Sequence, residues 1–200
     1  MNFKINSTEL TSAGFLKIYK SEVTFDSFAA GKSITAKREM MERGDSVAVV
    51  LYEKDTNTIL FTNQFRFPAA AKDAEVGYEN AGWLIELPAG GLAEGEEPKA
   101  AAIREVEEEL GYHISDMNFI STFFVSPGGT SERIHLFFTE VNSIDKKSAG
   151  GGLIDEKEDI QLVKISTREI RNAIQRGMLR DGKTLIGLQW AMLNYPDKFN

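Results

Sequence analysis

Gly90 to Tyr112, GGLAEGEEPKAAAIREVEEELGY, leaves this chain few ways to fold. Pro98 suits the first helical position, where its missing N–H costs nothing. Gly111 suits the left-handed stop just past a helix end. Between them Ala100 to Ala102, Glu107 and Leu110 are good helix formers. At about 100° per residue, Glu105, Glu108 and Glu109 share one face. Ala102, Ile103, Val106 and Leu110 share the neighbouring face, which must pack on a core. Three like charges so close together repel, so the face is either well solvated or neutralised by cations. Hard oxygen donors of this kind suit Mg²⁺ or Mn²⁺. A bare acidic run is usually a solvated helix face. The preceding Glu86-Leu87-Pro88-Ala89-Gly90-Gly91 favours the metal reading, because an apolar strand end turning into glycines brings backbone carbonyls near the helix carboxylates.

Around this helix the chain reads as mixed strands and a few helices. Residues 15–20, 22–26 and 33–40 are strand candidates, with a turn at Ala29-Ala30-Gly31-Lys32. These strands cannot bury a core of their own. Gly44-Asp45 marks a boundary, giving an N-terminal sheet over 1–44 and a main domain over 45–200. Within the latter, 46–51, 58–65, 84–87, 117–125, 134–141 and 160–164 read as strands, and 167–176 and 185–193 as helices. Ser148 to Gly152 reads as a flexible run. No regular βαβ alternation appears, so the expected class is α+β, a mixed sheet between helices with a small antiparallel sheet attached.

Two hundred residues with 42% hydrophobic content suffice for one ordinary domain and an extension. There is no cysteine, which excludes disulfides and thiolate metal sites and suits a reducing compartment. A net charge of −7 argues against general nucleic-acid binding, since phosphate contacts need basic surface. No signal peptide or membrane-length apolar run is evident, so no membrane association is expected and the cytoplasm is the default.

Several other positions admit a bland and a chemical reading. Gly177-Met178-Leu179-Arg180-Asp181-Gly182-Lys183-Thr184 fits the phosphate-loop pattern, but that loop needs a preceding strand, and Gly177 reads better as a helix cap. Lys183 still reads as a side contact to phosphate. Glu156, Glu158 and Asp159 are either charged surface or an arm that delivers a carboxylate to a metal. Glu132 is a hairpin-rim charge or a ligand contact. Arg66 is a solvated charge or a fork for diphosphate. His113 and His135 read as structural. No Ser–His–Asp or Cys–His set is visible, so covalent catalysis is not expected.

Gly90, five residues, Glu96, seven residues, Arg104-Glu105-Val106, one residue, Glu108-Glu109, one residue, Gly111-Tyr112: this spacing resembles the Nudix box. Lys37-Arg38-Glu39, Gln64-Phe65-Arg66, Glu86 to Gly90 and Ser126 to Glu132 resemble the branch that hydrolyses nucleoside diphosphate sugars. The Pro127 loop resembles ADP-ribose pyrophosphatases; Arg180 to Thr184 and Ala149 to Gly152 look closer to GDP-mannose pyrophosphatases. The resemblance implies a Nudix fold and Mg²⁺-dependent cleavage of a nucleotide sugar. It implies Glu105, Glu109, Glu158 and the Ala89 carbonyl as metal ligands, Glu156 or Glu158 as base, and Arg104 and Glu108 in the catalytic set, with Arg104 orienting carboxylates. Lys37, Arg38, Glu39, Arg66, Gly90, Glu132 and Lys183 would meet substrate. It also implies a homodimer in which the N-terminal sheet crosses to the partner. The loop reads DEKED, so Glu156 and Glu158 stay open as alternatives for the base. A sensor that binds nucleotide without turnover is the alternative function.

Overall fold

The computed structural model describes residues 1–155 and 157–200, so Glu156, one of the two expected bases, lies outside the described residues. The chain divides into two compact units, Met1–Asp45 with Phe124–Arg133, and Ser46–Phe123 with Ile134–Asn200.

The first unit is a three-stranded antiparallel sheet of β1 (Phe3–Ala13), β2 (Lys17–Asp26) and β3 (Ser33–Glu42), in that order. β2 is continuous where the sequence suggested two strands, because it pairs along its whole length with β3. β1 was not expected. Its residues are all exposed, so it carries no burial pattern to read. Residues 124–133, expected with the main domain, belong to this unit. Met41 N–H donates to Gly129 O at 2.9 Å, Ser131 N–H to Met41 O at 3.1 Å, and the Arg133 guanidinium to the Asp45 carboxylate at 2.5 Å.

The second unit is a seven-stranded mixed sheet. Its strands are β4 (Ser46–Glu53), β5 (Thr58–Phe65), β6 (Trp83–Glu86), β7 (Ala89–Gly91), β8 (Asn118–Phe124), β9 (Arg133–Val141) and β10 (Gln161–Ser166). The order is β10-β5-β4-β9-β8, with β6 added to β5 and β7 to β4. β4 runs parallel to β9 and antiparallel to β5 and β7. The helices are α1 (Phe67–Val76), α2 (Pro98–Leu110), α3 (Ile170–Gln175) and α4 (Gly182–Asn194). β4 is buried throughout, and its side chains alternate between two cores. Val47, Val49 and Leu51 pack with Ala102, Val106 and Leu110 of α2. Ala48, Val50 and Tyr52 pack with Ile170 of α3 and Leu188 and Ala191 of α4. The sheet is thus sandwiched between α2 and the α3–α4 pair, the α+β arrangement expected. Among the described residues no helix is long and apolar enough to cross a membrane.

α1 was not expected either. It opens at Arg66 with a proline in the first turn and ends on Gly77 in the left-handed region. Its buried Asp73 accepts the Gly82 N–H at 3.0 Å and both terminal nitrogens of Arg180. The Arg180 fork holds the Asp73 carboxyl down to about 2, below its ordinary 3.8. The unfolded chain therefore takes up this proton first as pH falls. The stabilisation is whole above the unfolded value and lost as pH drops through the folded one. We expect Asp73→Asn to lower the urea midpoint by a constant amount above about pH 4, with the gap to wild type closing toward pH 2. A gap independent of pH over this range would refute the assignment.

Candidate active site

α2 delivers the carboxylates. Glu97 caps it in an extended conformation, Pro98 follows, and the Gly111 N–H, at φ 75°, closes on Glu107 O. The apolar face places Ala101, Ala102, Val106 and Leu110 in the core, which pulls Glu105 and Glu109 under with it, at 9% and 2% exposure. Glu109 Oε2 accepts the Ala89 N–H at 3.0 Å, tying the helix to β7. β7 was expected as an open loop, but Ala89, Gly90 and Gly91 pair with Ala48, Val47 and Ser46. Gly90 lies against Glu105 so closely that a Cβ there would overlap the carboxyl group.

Arg104 holds the outer carboxylates. Its guanidinium reaches Glu96 at 3.1 and 3.2 Å, Glu108 at 2.9 Å, Glu105 at 2.8 Å and the Gly91 carbonyl at 3.3 Å. Glu96 also accepts the Ala93 N–H at 3.0 Å. Glu158 approaches from the segment after the glycine run, and its Oε2 accepts the Leu153 N–H at 3.0 Å. That run is anchored: Gly151 N–H donates to Glu109 O at 2.8 Å and Gly152 N–H to Glu108 O at 3.1 Å. Gly150, at φ 69°, lies so near the end of α2 that a side chain would strike Glu109 and Leu110 backbone. Its glycines serve close approach, where a flexible run was expected.

The electrostatics are those of a site short of positive charge. Burial pushes the Glu109 carboxyl up to about 8, and Glu105 and Glu158 add like-charge repulsion against the Ala89 N–H and Arg66. Burial also raises Glu105, opposed by Arg104. Among the described residues no three acidic or imidazole groups converge closely enough to cage an ion by themselves. Mg²⁺ needs no such cage, because it takes one or two carboxylates and completes its shell with water and substrate oxygens. A buried carboxylate that stays largely protonated without a counter-charge is one that such a cation would ionise, so the donor set fits.

Arg66 and Lys183 converge on a residue the sequence reading passed over. Glu86, 2% exposed, accepts from Arg66 Nε and Nη2 at 3.2 and 2.9 Å and from Lys183 Nζ at 2.6 Å. Lys183 also meets Asp181 at 3.2 Å. The available signal was an acid beside Leu87-Pro88 with two cations elsewhere in need of a partner. The phosphate-loop reading of 177–184 fails as expected: α3 precedes it, and Asp181 caps α4 by accepting the Thr184 N–H at 2.9 Å.

Lys37, Arg38 and Glu39 are exposed on β3 of the first unit, where Glu39 faces Lys20 at 3.6 Å. Glu132 is buried there, 3.7 Å from Arg43 Nε. His135 Nδ1 bonds Thr122 Oγ1 at 2.9 Å, and His113 lies 3.8 Å from Glu107.

The NUDIX domain family matches residues 42–180. The chain is 34% identical over 182 residues to the ADP-ribose pyrophosphatase of Haemophilus influenzae, covering 91% of this chain and 82% of that one. It is 34% identical over 165 residues to the GDP-mannose pyrophosphatase of Citrobacter koseri, covering 82% and 80%. The GDP-mannose pyrophosphatase of Escherichia coli O157:H7 is 32% identical over 165 residues, covering 82% of each chain.

Proposed function

The chain belongs to the NUDIX domain family, and from that premise we propose that it hydrolyses the diphosphate bond of a nucleoside diphosphate sugar. The products are a nucleoside monophosphate and a sugar phosphate. The observation that carries this reading is the pair of buried carboxylates Glu105 and Glu109, with half-buried Glu158 and Arg66 within electrostatic reach of Glu109. The relatives' names make ADP-ribose and GDP-mannose the candidate substrates.

Glu105, Glu109 and Glu158, with the Ala89 backbone, would hold Mg²⁺, with Mn²⁺ as a substitute. The ion supplies positive charge against the diphosphate and acidity to a water. Arg104 fixes Glu105 and Glu108 so that neither has to reorganise when substrate arrives. Glu158 or Glu156 takes the proton from the attacking water. Arg66 keeps a side chain 40% exposed while Glu86 holds it, leaving room for a phosphate oxygen. Gly90 keeps the floor open. Lys37, Arg38, Glu39, Glu132 and Lys183 are assigned to substrate by resemblance.

The deciding experiment is a turnover panel with Mg²⁺ that compares GDP-mannose with ADP-ribose. We expect hydrolysis of at least one, abolished by excess EDTA. Activity in EDTA refutes the metal role, and binding without turnover refutes the enzyme.

We also propose a cytoplasmic homodimer. The N-terminal sheet exposes Phe3, Ile5, Leu10 and Ile34, and the bend between β1 and β2 exposes Phe15, while Ile18 and Phe25 are only partly covered. Bare apolar strands are an association surface, and a two-fold dimer is the commonest closed solution. Light scattering at micromolar concentration is expected to give a dimer mass. Deletion of residues 1–40 is expected to give a monomer with weakened substrate affinity, since Lys37, Arg38 and Glu39 go with it. A monomeric, fully active wild type refutes this.

A further inference from the structure

We propose that the side-chain amide of Gln64 is a further substrate-binding group, donating to an acceptor oxygen of the nucleotide sugar. Among the described residues only two buried side-chain polar atoms lack a hydrogen-bond partner, Gln64 Nε2 and Thr167 Oγ1. They lie toward opposite ends of β5: Thr167 follows Ser166, which pairs with Thr58, whereas Gln64 pairs with Leu84. Gln64 is 8% exposed. A buried donor without an acceptor is destabilising, and a native chain keeps one where something else completes it.

The placement of Gln64 indicates what completes it. Strand side chains alternate, and Arg66, at φ −122° and ψ 103°, continues the extended backbone past the end of β5. Leu60, Thr62, Gln64 and Arg66 therefore share a face. Leu60 packs in the core beneath α2, the helix of Glu105 and Glu109. Thr62 pairs with Glu86 across the strands, and Glu86 holds Arg66. The unpaired amide nitrogen thus sits two residues from the arginine fork, on the strand face that packs toward α2. A glutamine serving only the core has no reason to leave its amide nitrogen unbonded, and an apolar side chain of its length would fill the space without that penalty.

This inference rests on the proposed nucleotide-sugar activity, and the test separates the two. Gln64→Met keeps length and removes the amide; Gln64→Leu is a second variant with the same intent. KM, kcat and Tm are measured with Mg²⁺ on whichever of GDP-mannose or ADP-ribose the wild type hydrolyses. We expect KM to rise about tenfold, with kcat nearly unchanged and Tm unchanged or higher. The combination of weaker substrate binding with undiminished stability is one that a packing role does not produce. An unchanged KM overturns the proposal, and so does a raised KM that comes with a lowered Tm in both variants. If the wild type binds these compounds without hydrolysing them, the activity reading falls and Gln64 is judged by the same ratio in Kd. If the wild type binds neither, both readings fall.

Discussion

Glu109→Gln is expected to cut kcat by at least about a hundredfold, the scale of removing a principal electrostatic contribution. The amide keeps the volume, and its oxygen can still accept the Ala89 N–H that Glu109 now takes at 3.0 Å. Only the charge is lost. Burial already disfavours that charge in the metal-free protein, pushing the carboxyl up to about 8. Tm without metal should therefore stay level or rise while activity collapses. The measurement is kcat with saturating Mg²⁺ beside a metal-free melting curve. A variant within tenfold of wild type would remove Glu109 from the metal set.

Gly90→Ala reaches the same cluster from the strand side. Gly90 is not among the residues with positive φ, so alanine meets no backbone strain there. Its methyl would instead fall on the Glu105 carboxyl group. That side chain must leave its present contact with Arg104 at 2.8 Å, and β7 cannot easily retreat because Val47 pairs with Gly90. We expect kcat/KM to fall by about a hundredfold, since displacing a metal-orienting contact costs about as much as deleting it. The apparent Mg²⁺ affinity should fall in parallel, with only a small change in Tm. Retention of more than half the activity would show that Glu105 has room to move.

The legible parts of the chain were those with a period or punctuation. β4, β5 and β9 announced themselves as apolar runs, and α2 by Pro98, Gly111 and its two-faced pattern. β1 was silent because FKINSTELTSA has no buried face in the single chain. α1 carried cues, a proline in its first turn and Gly77 after its end, but its large apolar residues Phe67 and Val76 are exposed, its other apolar residues are alanines and that proline, and its one buried residue is the charged Asp73. At the site, spacing located Glu105 and Glu109, which lie one helical turn apart. It did not reveal Glu86, whose meaning depends on Arg66 and Lys183 arriving from elements far away in the chain. Gln64 was opaque for a related reason: a missing partner is visible only once every other partner is placed.

The alternation along β4 has a consequence for how the enzyme can change. Val49 and Val50 are adjacent in the chain, yet Val49 belongs to the packing under the carboxylate helix and Val50 to the packing under α4. A volume change at Val49 falls in one core and a volume change at Val50 in the other. Drift in the apolar residues that pack Val50 from α4 changes that core while the packing of α2 on Val49 is kept. Drift on the α2 side reaches Glu105 and Glu109 directly. One strand thus seats the carboxylate helix on one core and α4 on another, and the division changes sides at every residue.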